Sequence, residues 1–146
     1  MGDKNNQSRD RGSFKRQPVR RKNTQRGGER QLEYDILDAL NKMPNVFAFK
    51  YDPRVQTNSQ GQRLKLPKYV LAGVSDIIAL MDFDGCMFTA FLEVKLPGEK
   101  QRDTQIAFET RVSKMNGYYQ IVESVEEGLC AINKAKVYFD KRRNYE

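Results

Sequence analysis

The sequence predicts an α/β fold in which helices cover a small mixed sheet. Three observations point to it: an amphipathic stripe beginning near Glu29, two apolar stretches joined by "DFDG", and a later alternation of helix, strand and helix patterns. Along the chain the order reads helix, strand, hairpin, helix, strand, helix.

The first helix is expected from Glu29 to a point before Pro44, because Leu32, Ile36, Leu37 and Leu40 recur at helical spacing in "ERQLEYDILDALNKM". In "NVFAFKYD" the alternating Phe47, Phe49 and Tyr51 predict a half-buried strand. The stretch "PRVQTNSQGQRLKLPK" is polar and punctuated by Gly and Pro, so it reads as a loop, with Arg54, Arg63, Lys65 and Lys68 as its cations. Next come the strands "SDIIALM" and "CMFTAFLEVK"; the Asp and Gly between them are natural hairpin residues. After "LPGEK", a stripe of Gln105, Phe108, Val112 and Met115 predicts a second helix that Gly117 ends. The strand "YYQIV" follows, and Ser124 with Glu127 forms a capping box for a helix over "VEEGLCAINKA". The tail "KVYFDKRRNYE" reads as a last short strand and a basic end.

At 146 residues the chain suits one domain large enough to bury its own core. Cys86 and Cys130 have no framework spacing, so they read as small apolar residues of a reducing, intracellular compartment, and two cysteines with no histidine exclude a zinc knuckle. The expected location is the cytoplasm of a bacterial or virus-infected cell, or its nucleoid. No apolar run approaches the roughly 20 residues that span a bilayer, so no membrane partner is expected.

The formal net charge of +7 is unevenly placed. Residues 1–28 carry nine Lys or Arg against Asp3 and Asp10, while residues 29–146 are formally neutral. A segment such as "RQPVRRKNTQRGG" has too few apolar residues to offset the entropy of ordering. Two regions are therefore expected: a flexible basic arm over 1–28 that tethers nucleic acid, with a merely solubilising tail as the alternative, and a folded domain over 29–146.

The hairpin carries the chemistry. Folding it about "DFDG" brings Asp76, at the head of one strand, to within about one position of Glu93 at the tail of the next. Glu93 and Lys95 then share a face, while Val94 between them points to the core. Two close carboxylates repel unless a proton or cation intervenes, and hard oxygen ligands favour Mg2+ or Mn2+ over zinc. With no histidine in the chain, Lys95 is left to orient or deprotonate a water. By itself a Glu-x-Lys triplet is a common surface ion pair; the upstream Gly-x-x-Asp strand and the hairpin that joins the two raise its weight.

The segments "GVSDIIAL", "FLEVKLPGEK" and "TQIAFETRVSKMNGYYQIVESVEEGL" resemble, in order and spacing, the VRR-NUC branch of the PD-(D/E)xK nucleases, over about Glu29 to Ile132. The resemblance implies a restriction-endonuclease-like α/β core. It implies a metal held by Asp76, Glu93 and the main-chain carbonyl of Val94, Lys95 serving the attacking water, and Gln105 supporting the site. Glu29 is implied as the first-helix acid, with Glu33, one turn later, as its rival. It further implies a Mg2+- or Mn2+-dependent endonuclease that leaves 5′-phosphates. Small stand-alone members of this branch act as homodimers on branched DNA such as four-way junctions, which implies the same partners here. Two other readings stand beside it: a non-catalytic nucleic-acid-binding module, disfavoured because converging carboxylates repel phosphate, and a nuclease of the same chemistry acting on RNA or without structure selectivity.

Overall fold

The computed structural model describes residues 23–53, 57–62, 64–65 and 71–144. Most of the expected basic arm, and the loop cations Arg54, Arg63 and Lys68, lie outside the described residues. The elements are α1 (Asn23–Leu40), β1 (Val46–Lys50), β2 (Ile77–Phe83), β3 (Cys86–Val94), α2 (Asp103–Lys114), β4 (Tyr118–Val122) and α3 (Val125–Arg143).

The strands form one mixed sheet in the order β1-β2-β3-β4, antiparallel across the first three and parallel between β3 and β4. Parallel neighbours need a crossover, and α2 supplies it. Asp84 and Gly85 make the hairpin turn with φ of 54° and 75°, the left-handed pair that a two-residue turn between twisted strands requires. The turn sets the register, pairing Ile77 with Leu92 and Phe83 with Cys86.

One sheet face packs against α1 and α3. Ala48, Ala79 and Ala90 lie side by side across three strands, and this row of small residues admits the helices closely. Ile77, Met81, Leu92, Val94 and Val122 complete the sheet side of the core, with Ile36 and Leu40 from α1 and Ala131, Ile132 and Ala135 from α3 above them. The two helices touch where Gly128 faces Ile36, and a Cβ there would sit 2.9 Å from the isoleucine methyl. On the opposite face Phe108 of α2 meets Phe91 edge-on at 5.2 Å and Tyr119 at 6.2 Å.

Five local expectations are corrected. Helix α1 begins at Asn23, six residues before Glu29, and so takes in the end of the segment assigned to the arm. In β1 the buried residue is Ala48, while Phe47 is 62 % exposed, because the helix-covered face has room only for the small side chain. Met115 is exposed beyond the end of α2, where Asn116 takes the left-handed turn and Gly117 N–H returns to the Val112 carbonyl at 2.8 Å. No last strand forms: α3 runs on to Arg143, because Phe139 continues the face of Ala131, Ile132 and Ala135 and stacks on Phe88 at 4.7 Å. Its start agrees with expectation, Ser124 Oγ accepting from Glu127 N–H at 3.1 Å while the Glu127 carboxylate reaches back to Glu123 N–H. Both cysteines are free, and both are exposed rather than packed as apolar residues. Among the described residues no helix is long and apolar enough to cross a membrane.

Candidate active site

One step beyond the Ile77–Leu92 pair, the antiparallel register sets Asp76 opposite Glu93. Asp76 is held there by the strand it faces, its Oδ2 accepting from the Val94 backbone N–H at 2.9 Å. The approach to it needs glycine. Gly73, three residues earlier, has φ +79°, and a Cβ on it would lie 2.4 Å from the Thr104 carbonyl in the first turn of α2. The Gly-x-x-Asp spacing thus reflects the chain passing against α2 immediately before it delivers the carboxylate.

Glu93 is fully buried, and three donors converge on it. Lys95 Nζ donates to its Oε1 at 2.6 Å, Gln105 Nε2 donates to the same oxygen, and the Tyr119 hydroxyl lies 3.5 Å from Oε2. The orientation of the Gln105 amide follows from its other end, since Oε1 accepts the Arg102 backbone N–H at 2.8 Å and leaves Nε2 for Glu93. Gln105 is likewise fully buried.

Electrostatics follow from this burial. Desolvation first, and then the Asp76 charge, push the Glu93 carboxyl up to about 7, against the hydrogen bond and charge of Lys95. Burial alone would lower the Lys95 ammonium, but the hydrogen bond and charge of Glu93, with the charges of Asp76 and Glu29, outweigh it and hold its pKa raised. Lys95 is therefore an ammonium at neutral pH. In that form it can donate hydrogen bonds and stabilise negative charge.

Helix α1 brings both of its candidate acids to the same place. One carboxylate oxygen from each of Glu29, Glu33 and Asp76 lies within 4.8 Å of the others. The two helix acids differ in their partners. Glu33 is buried and paired with Lys50 of β1, and burial raises its pKa although Lys50 opposes this. Glu29 is more open and stands 3.5 Å from Lys95. A donor set made only of carboxylate oxygens, converging beside a fourth carboxylate, fits a hard divalent cation such as Mg2+ or Mn2+.

A cleft of about 290 Å3 opens on this cluster, lined by Glu29, Lys95, Glu99, Lys100 and Arg102. Sequence reasoning did not single out the two rim cations, nor Lys50, Tyr119 and Gln101. For Tyr119 a signal existed: it pairs with Phe91 in the β3/β4 ladder, on the face that Glu93 shares, one diagonal step away. Lys50 carried no signal, because its meeting with Glu33 depends on how α1 lies over the sheet.

This chain is similar to a solved VRR_NUC domain, aligned over 75 % of this chain and 96 % of that one, with 18 % identity and a TM-score of 0.42. No protein-family model and no curated protein matches the sequence.

Proposed function

We propose that the protein is a metal-dependent DNA endonuclease of the VRR-NUC type, selective for branched DNA and acting as a homodimer. The observation that carries this reading is the convergence of Asp76, Glu93, Lys95 and Gln105 with the first-helix acids at one end of the sheet, beneath a cleft with a cationic rim. Asp76, Glu93 and the Val94 carbonyl, with Glu29 ahead of Glu33, are the residues that would hold Mg2+ or Mn2+. Bound there, the cation would neutralise charge on the scissile phosphate and acidify a water. The chain's own residues do the rest. Lys95 orients the attacking water and stabilises the charge that develops as its oxygen bonds to phosphorus. The bond from phosphorus to the 3′ oxygen breaks, the attacking water's proton passes to solvent and the leaving oxygen takes one from solvent, leaving a 5′-phosphate and a 3′-hydroxyl. Gln105 fixes the Glu93 carboxylate, and Lys100 and Arg102 are placed to receive flanking phosphates.

A second copy is supported by the part of the outer sheet face that α2 leaves uncovered. Phe47 and Met87, 62 % and 70 % exposed, stand with Phe49, Ile78 and Leu80 on strand positions that, among the described residues, carry no Lys or Arg to meet a phosphate backbone. Two copies about a twofold axis present two sites to a junction that has the same symmetry. The basic residues of the N-terminal segment supply sequence-independent attraction to DNA, and the location is intracellular. The test is cleavage of linear, flapped and four-way DNA and of RNA, with and without Mg2+. Paired Mg2+-dependent nicks at the four-way centre are expected; cleavage of RNA alone transfers the chemistry to another substrate, and cleavage of nothing leaves a binding module.

A further inference from the structure

A hydrogen-bonded chain leads from α2 to the far oxygen of Glu93. Gln101, in the loop before α2, donates through Nε2 to Glu109 Oε2 at 2.8 Å and to the Tyr119 hydroxyl oxygen at 3.3 Å. An amide nitrogen has two protons, and both are thereby used. Since the Tyr119 oxygen accepts from Gln101, its own proton is free to point at Glu93 Oε2, 3.5 Å away. The ring is held independently of the hydroxyl, edge-on to Phe108 at 6.2 Å. Lys95 and Gln105 both bind Oε1, whereas the Tyr119 hydroxyl stands at Oε2. Gln101 also lies one residue from Lys100 and Arg102, the cationic rim of the cleft.

We infer that Tyr119 and Gln101 are positioning residues: the Gln101 amide sets the direction of the Tyr119 hydroxyl, and that hydroxyl orients Glu93 for the cation while the same amide ties down the rim loop. This rests on the metal-dependent reading above. Partners of ligating carboxylates act through the ligand's orientation, and their removal characteristically weakens metal affinity by roughly 10- to 100-fold.

The experiment is Mn2+ binding by isothermal titration to wild type, Tyr119→Phe and Gln101→Leu, with thermal melts and steady-state kinetics on the same samples. Tyr119→Phe keeps the ring, so its melting temperature should stay near wild type while the Mn2+ Kd rises about tenfold and kcat falls. Gln101→Leu should weaken Mn2+ similarly and also raise KM for DNA, because it frees the rim loop. If both variants bind Mn2+ within twofold of wild type, the inference is overturned although the metal site stands. If wild type binds no Mn2+, the metal reading falls and takes this inference with it. Should Tyr119→Phe fail to fold, the Gln101→Leu titration decides.

Discussion

Asp76 accepts a hydrogen bond from the backbone of Val94, the residue that separates Glu93 from Lys95. The strand that carries Glu93 and leads into Lys95 therefore also aligns Asp76. The strand register brings Asp76 and Glu93 to one sheet end, the Val94 N–H holds Asp76 and the side chains of Lys95 and Gln105 hold Glu93, and the cost of keeping two carboxylates together shows at the Glu93 carboxyl.

That cost is visible as pH dependence. The folded-state Glu93 pKa of about 7 exceeds its unfolded value near 4.5, so folding takes up a proton between these limits. The contribution of Glu93 to metal-free stability is then fullest below about pH 4.5 and declines as pH rises toward 7, by on the order of 1–3 kcal/mol. Thermal melts of wild type and Glu93→Gln without metal should diverge across this window, wild type falling relative to the variant, and Mg2+ should restore wild type. Parallel profiles would contradict the cost assigned to Glu93.

Gly73→Ala should be damaging although the residue bears no functional group. Its Cβ would overlap the Thr104 carbonyl, and its φ of +79° suits no other residue well. A loss of about 2 kcal/mol or more in urea denaturation is expected, with cleavage reduced because Asp76 is displaced. A variant as stable as wild type would mean that the chain can pass α2 without contact.

The two first-helix acids should separate by assay. Glu33→Gln strands the Lys50 ammonium and should destabilise the fold by about 1–3 kcal/mol, less than a fully buried pair because Lys50 is a quarter exposed. Glu29→Gln breaks only the longer contact with Lys95, so it should leave the melt unchanged while weakening Mn2+ binding and cleavage. The opposite pattern would make Glu33 the functional acid.

Phe47→Asp combined with Met87→Asp places charge on the uncovered sheet face without touching the core. Light scattering should show a monomer where wild type is a dimer, and four-way junctions should then be nicked singly instead of in pairs. A monomeric wild type would remove the dimer from the proposal.

Much of the fold could be read from the sequence because its signals are local. "DFDG" dictated a two-residue turn, the turn dictated the register, and the register brought Asp76 to Glu93. Helix periodicity likewise placed Gln105 and Val112 on the buried face of α2. What escaped depends on packing between elements. Phe47 has the alternation of a core residue, but the covered face is lined by alanines and admits Ala48 instead. The tail aromatics suggested a strand until α3 continued far enough to lay Phe139 on Phe88. Lys50 meets Glu33 through the crossing of α1 over β1, which no spacing in the sequence reports.

The most direct test of the central claim is single-turnover cleavage of a four-way DNA junction by wild type and Lys95→Ala, each with and without Mg2+. Cleavage by wild type only when Mg2+ is present, and a loss of about a hundredfold or more in a variant that still melts cooperatively, is the predicted result. Metal-independent cleavage, or a folded Lys95→Ala variant cutting at the wild-type rate, would contradict the assignment of this site.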